Sequence, residues 1–210
     1  MVRIGVTGLM GSGKSSVARR FQARGAHLVD GDALGWEVLR TQAVREAIAR
    51  AFDGPALDRE GQVDRARLGR IVFRDPAAMD RLNAIVQPEL LRRVREVLDS
   101  RGDGVRVLDA AMLTTWALEP ALDGVVEVVA SEETRARRVR AARGFTDQEA
   151  RERIRGQRLP PVRGARRLWR LENEGDPADL GRKADLIWEE IESMLRTGSS
   201  GPADEGQRRS

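Results

Sequence analysis

The chain has no cysteine and no tyrosine, a single histidine, and only two lysines among its 37 basic residues. Without cysteine there is no disulfide framework, no thiol nucleophile and no cysteine-based metal site. Aromatic residues make up 4% of the chain, and no basic run is interleaved with them. Stacking on exposed bases is not expected from this composition, and neither is a nucleic-acid partner. No apolar run approaches the roughly 20 residues of a membrane span, so no membrane partner is expected either. Met1-Val2-Arg3 leads straight into a strand-like segment rather than a signal peptide, and the expectation is a cytoplasmic monomer.

Its 210 residues suit one domain, with room for a small inserted subdomain, and can bury a core without covalent staples. Basic residues exceed acidic ones by 37 to 33. Most of the arginines are read as solvated helix faces, with a minority meeting phosphate. The two lysines are Lys14 and Lys183. A bias toward arginine has spared Lys14, where a compact ammonium is needed.

Val2–Thr7 reads as a buried first strand, followed by a helix from Gly13 to about Arg24 and a second strand from Ala26 to Val29. Strand, loop, helix, strand is a βαβ unit and implies a parallel sheet. Residues 33–52, 64–72, 76–84 and 88–99 read as helices, broken by Pro55, the polar stretch 58–61 and Asp75-Pro76. Strands are expected at Gly104–Asp109, Gly124–Ala130 and Leu168–Asn173, and helices at 131–143 and 177–195. Thr146-Asp147-Gln148-Glu149 is a capping box that opens a further helix. His27, inside the second strand, is read as a packing residue.

Gly8-Leu9-Met10-Gly11-Ser12-Gly13-Lys14-Ser15 matches the phosphate-binding P-loop pattern without gaps. Its glycines let successive N–H groups converge on phosphate oxygens, and the helix that follows adds its positive end. Gly8, Met10, Gly11, Ser12, Gly13, Lys14, Ser15 and Ser16 are therefore expected to bind ATP, with Lys14 reaching the β- and γ-phosphates and the Ser15 hydroxyl on Mg²⁺. No Asn-Lys-x-Asp guanine reader and no Leu-Ser-Gly-Gly-Gln transporter signature is present. At this length, small-molecule kinases are the large class that remains. Asp30-Gly31-Asp32 ends the second strand, where ligands gather in open α/β sheets. Transfer to a hydroxyl needs a carboxylate that takes its proton. Either aspartate fits that role, and Asp30 also fits a helix cap. Asp109, ending the third strand, stands where an acid helps hold the metal, although strand-end aspartates are common.

In order and at matching spacing, several segments resemble the dephospho-coenzyme A kinase family from Val2 to about Met194. They are Ile4–Gly8 with the loop, "GAHLVDGDAL" (Gly25–Leu34) and the helical stretch Asp58–Leu90 with Gly61, Asp64, Arg65, Leu68, Val72, Phe73, Leu82 and Pro88. "TDQEARERIRGQ" (Thr146–Gln157) resembles its lid helix, and "ENEG" (Glu172–Gly175) its adenine-side loop. The resemblance implies an α/β P-loop kinase of three layers over residues 1–196. It carries a helical substrate-binding insertion at 33–100 and a lid at 138–165; beyond it, the Gly, Ser, Pro and charged residues of 197–210 are expected to form a disordered tail. It implies ATP-dependent phosphorylation of the ribose 3′-hydroxyl of dephospho-coenzyme A. In that reading Asp32 is the base, Asp30, Trp36 and Leu113 flank the acceptor, and Asn173 and Gly175 line the adenine. Ser15 and Asp109 serve the metal. A lid arginine meets the transferring phosphoryl; Arg138, Arg140 and Arg143 fall there, and Arg143 is favoured.

Departures cluster on the acceptor side. Trp36 stands where the family carries an arginine, Gln87-Pro88 replaces His-Pro, and Ala111-Met112-Leu113-Thr114-Thr115 replaces Pro-Leu-Leu-(Phe)-Glu. Two alternatives stay open: a kinase for another small hydroxyl or nucleotide, with Trp36 as an aromatic platform, and a nucleotide-binding protein with little catalysis.

Overall fold

The computed structural model describes residues 1–52, 56–72, 74–100, 102–155 and 157–198. Phe73 and residues 199–210 of the expected tail lie outside the described residues, as does the Arg143 side chain. The elements run β1 (Val2–Thr7), α1 (Lys14–Ala23), β2 (His27–Asp30), α2 (Gly31–Arg40), α3 (Gln42–Ala51), α4 (Arg65–Val72) and α5 (Pro76–Asp99). There follow β3 (Val105–Asp109), a 3-10 turn at Glu119–Ala121, β4 (Gly124–Val129), α6 (Glu132–Arg143), α7 (Asp147–Arg155), β5 (Leu168–Glu172) and α8 (Pro177–Gly198). They form two compact units, Met1–Val29 with Arg101–Ser210, and Asp30–Ser100.

In the first unit the five strands lie in the order β2-β3-β1-β4-β5. β1 pairs in parallel with β3, placing Val6 opposite Asp109, and with β4, placing Thr7 opposite Glu127. β4 pairs in parallel with β5. The central strands are apolar nearly throughout because both faces are covered, as parallel sheets require. Val17, Ala18 and Phe21 of α1 join Leu180, Ala184, Ile187, Trp188 and Ile191 of α8 in one buried cluster with β1. The Phe21 and Trp188 rings meet at 5.4 Å. Burying a side chain of this size contributes about 1.5–3 kcal/mol, which anchors α1 against α8. Gly5 on β1 is needed for packing: a Cβ there would run into the Leu113 and Leu122 side chains.

The second unit is helical. Val38 of α2, Val44 and Ile48 of α3, Leu68 and Val72 of α4, and Leu90, Val94 and Leu98 of α5 are among its buried apolar residues. Sequence reading expected a break before Pro88, yet α5 runs unbroken through it. Proline removes one N–H and costs about 3 kcal/mol inside a helix. The stripe Leu90, Val94, Leu98 continues at i, i+4, i+8, and burying three such residues outweighs that cost. Pro88 itself is exposed, where a bend is tolerated. The single helix expected over 33–52 is two helices. The hydroxyl of Thr41 donates to the Val38 carbonyl at 2.8 Å and its backbone is extended, which ends α2.

Two smaller expectations also change. His27 is exposed rather than packed. α8 reaches Gly198, where the Thr197 hydroxyl donates to the Ser193 carbonyl at 3.0 Å, so the helix takes in the first two residues of the expected tail. The capping box of α7 forms as read: the Glu149 carboxylate accepts from the Thr146 N–H at 2.9 Å and the Thr146 hydroxyl accepts from the Glu149 N–H. No described helix is long and apolar enough to cross a membrane.

Candidate active site

β1 ends at Thr7 and α1 begins at Lys14, so residues 8–13 must turn within six positions. Gly11 and Gly13 take positive φ, 80° and 100°, a region that side chains strain against. Space is equally short. A Cβ on Gly11 would lie 2.8 Å from the Arg135 carbonyl oxygen, and one on Gly13 would collide with the Asn173 amide. No side chain caps α1, and its first turn carries no acid. Its positive end is thus left for an anion.

Lys14 and Asp109 meet across the ends of β1 and β3. The Lys14 ammonium lies 2.6 Å from Asp109 Oδ1 and donates to the Ser15 hydroxyl at 3.5 Å. Both charged side chains are largely buried, 15% and 14% exposed, so the pair is shielded from water. The structure thereby gathers the three expected phosphate and metal residues at one point.

Beside the loop lies a cavity of about 420 Å³ whose lining includes Gly13, Ser16, Arg20, Arg138, Asn173 and Gly175. Asn173 is 4% exposed and donates through Nδ2 to the Ser12 carbonyl at 2.7 Å. Arg138 ties the arrangement together. Its guanidinium donates to the Asn173 carbonyl at 3.0 Å, to Asn173 Oδ1 at 3.1 Å and to the Gly175 carbonyl at 3.1 Å. Hydrogen bonds to a charged group contribute about 1.5–3 kcal/mol each, enough to hold the Asn173–Gly175 loop against the P-loop. Sequence reading grouped Arg138 with the lid arginines. Nothing in the local sequence separates it from Arg137 or Arg140; the register of α6 does.

Glu174, inside the "ENEG" loop, carries no role in the sequence expectations. Its carboxylate accepts from the Thr134 hydroxyl at 2.7 Å, from the Ser131 N–H and from the Ser131 hydroxyl at 2.8 Å, fastening the start of α6. These bonds, the Thr134 hydroxyl first and then the two from Ser131, hold the carboxyl below its ordinary value of 4.5. A carboxylate so depressed adds stability above that value and loses it as pH falls through the lowered one. Glu174→Gln is therefore expected to flatten the acid limb of a melting-temperature profile taken between about pH 6 and about pH 3. Identical acid limbs in variant and wild type would remove Glu174 from this role.

Asp30, Asp32 and Trp36 belong to the second unit. Asp30 caps α2, its Oδ1 accepting from the Ala33 N–H at 2.9 Å. Asp32 is exposed in the first turn of α2, and Trp36 is half-buried one turn on. Leu113 is fully buried, its side chain over Gly5 in the sheet core. Arg140 lies 3.9 Å from Asp147 at the surface. Gln157 was quoted only as the end of the lid segment, but its Oε1 accepts from the P-loop N–H of Met10 at 3.1 Å.

Known proteins match this chain along most of its length. The family model described as dephospho-CoA kinase (CoaE) matches residues 2–179. A dephospho-CoA kinase of Thermobifida fusca is 38% identical over 200 residues, covering 94% of this chain and 100% of that protein. One of Streptomyces avermitilis is 36% identical over 193 residues, covering 91% and 94%. A crystal structure from Thermus thermophilus superposes with a TM-score of 0.72 at 32% identity, covering 90% of this chain and 97% of that one. With the P-loop, its lysine and the adjoining cavity all formed on a sheet of this order, the chain belongs to the dephospho-CoA kinase family.

Proposed function

We propose that the protein transfers the terminal phosphoryl group of ATP to the ribose 3′-hydroxyl of dephospho-coenzyme A, giving coenzyme A and ADP. The observation that carries this reading is the Lys14, Ser15 and Asp109 cluster at the mouth of an uncapped α1, beside a cavity that borders Asn173 and Gly175. The cavity receives the nucleoside, and the N–H groups from Gly11 to Ser16 receive the phosphates. Lys14 exchanges Asp109 for phosphate oxygens and balances the charge that develops as the phosphoryl group moves. Asp32 accepts the 3′-hydroxyl proton, so that the oxygen can attack in line and ADP leaves. Asp30 and Trp36 flank the acceptor within the helical unit, which supplies the substrate-binding insertion. The α6–α7 region acts as the lid and excludes water, with Arg143 at the end of α6 as its phosphate arginine.

Ser15 and Asp109 offer a hydroxyl and a carboxylate oxygen, hard donors that suit Mg²⁺. Among the described residues no cluster of three or more His, Cys, Asp or Glu could hold a metal by itself. A Mg²⁺ ion at Ser15, with Asp109 near it, would therefore complete its shell with nucleotide phosphates and water and would supply charge neutralisation. In this reading the enzyme works in the cytoplasm, as a monomer, on a small molecule.

The test is ADP release from ATP on adding dephospho-coenzyme A, compared with nucleoside monophosphates and other small hydroxyl compounds. Release with dephospho-coenzyme A alone supports the reading. Turnover only with another acceptor would reassign the Trp36 side of the site, and ATP binding without turnover would overturn catalysis.

A further inference from the structure

A second cavity, of about 280 Å³, takes in Gly8, Leu9 and Ser12 of the P-loop and shares no lining residue with the first. Arg135 of α6 enters it at 4% exposure. Its Nη2 donates to the Ile154 carbonyl at a long 3.5 Å, while Nε and Nη1 have no partner among the described residues. The Ser12 hydroxyl, 1% exposed in the same cavity, has none either. Buried polar groups are nearly always satisfied, and a buried charge left uncompensated is strongly unfavourable.

The surroundings deepen the imbalance. Arg158 and Arg170 also line the cavity, and its single acid, Glu127, pairs with Arg170 at 3.8 Å. Burial pushes the Arg135 guanidinium below its ordinary value; Glu132 opposes this and Arg158 adds to it. Residues 135–170 as a whole carry thirteen arginines and three acids, against a chain total of only +4. A structural role covers part of Arg135: its backbone and Cβ pack on Gly11. That accounts for the stem and leaves the charged head unexplained.

We infer that this cavity is a binding site for a phosphate-class oxyanion, held by the Arg135 guanidinium and the Ser12 hydroxyl. A guanidinium presents parallel N–H donors that match two oxygens of such an anion, and a hydroxyl adds a third donor. The volume admits one tetrahedral anion with a few waters, each of which takes about 30 Å³. The chemistry has two sources, free inorganic phosphate and the phosphate tail of a bound nucleotide. Because Gly11 rests on Arg135 and Met10 on Gln157, an anion here braces the P-loop from a side the nucleoside cavity does not reach.

Calorimetric titration of the full chain with inorganic phosphate at constant ionic strength tests the site without turnover. Wild type is expected to bind, Lys14→Ala to keep binding, and Arg135→Met to bind about tenfold more weakly or not at all. In phosphate-free buffer Arg135→Met is also expected to melt higher than wild type, because it removes a buried unpaired charge. An arginine with only a structural role would give a lower melting temperature. Should Arg135→Met fail to fold, Ser12→Ala keeps the cation and is expected to weaken phosphate severalfold. Repeating the titration with a non-hydrolysable ATP analogue separates the sources. Retained phosphate binding assigns free anion, while lost phosphate binding with analogue affinity dependent on Arg135 assigns the nucleotide tail. Phosphate affinity unchanged in both Arg135→Met and Ser12→Ala, or no binding by wild type, overturns the inference.

Discussion

Asp32→Asn is expected to lower turnover by about 10²–10⁴-fold, the usual contribution of a positioned acid or base, while ATP affinity stays within about threefold. The two aspartates flanking Gly31 are placed differently. Asp30 is committed to the Ala33 N–H as the cap of α2, and Asp32 stands exposed in the first turn. Asparagine matches aspartate in size and as a hydrogen-bond acceptor but takes no proton at neutral pH. Asp30→Asn is the internal control, because asparagine caps a helix about as well as aspartate and stability should change little. Steady-state kinetics with an ATP titration checks both. Turnover by Asp32→Asn within threefold of wild type, or a larger loss in Asp30→Asn, would remove Asp32 as the base.

Lys14→Met is expected to cost about 10²–10³-fold in kcat/KM, the scale seen when one preorganised donor to developing charge is lost. It should also lower stability, and the two effects are separable. Asp109 is 14% exposed and would be left without the ammonium now 2.6 Å away. An unpaired, largely buried carboxylate costs about 1–3 kcal/mol or more. Adding Asp109→Asn to Lys14→Met should recover most of that stability and none of the activity, because the carboxylate is relieved while the cation stays absent. Thermal melts and kcat/KM on the two single variants and the double variant make the comparison. Activity of Lys14→Met within tenfold of wild type would contradict the role assigned to Lys14.

The parts of this site legible from sequence are those whose chemistry is local. Glycines spaced around a tight turn, an apolar strand before it and a lysine on the next turn specify an anion cradle within a dozen residues. The capping box at Thr146 and Glu149 and the cap at Asp30 are equally local, since each closes within three residues. Pro88 shows the limit. Its local preference for breaking a helix is real, and the buried stripe of Leu90, Val94 and Leu98 overrides it. Leu113 shows a related limit: only the approach of its loop to Gly5 makes it a core residue.

From the sequence come the expectation of a nucleotide phosphate at Gly8–Ser16, the carboxylate one βαβ unit later, and the family to which the order of segments points. Tertiary structure alone decided how the cradle is held and charged. Asn173 reaches Ser12 from 161 positions away, Asp109 reaches Lys14 from 95, and Glu174 fastens Ser131 from 43 and Thr134 from 40. Strand order and the register of α6 choose among thirteen similar arginines, making Arg138 a strut and leaving Arg135 a buried charge whose Nε and Nη1 have no partner among the described residues. Side chains alike in sequence differ by what the fold packs beside them, and burial then amplifies the difference, because an unmet charge costs little in water and much inside a protein.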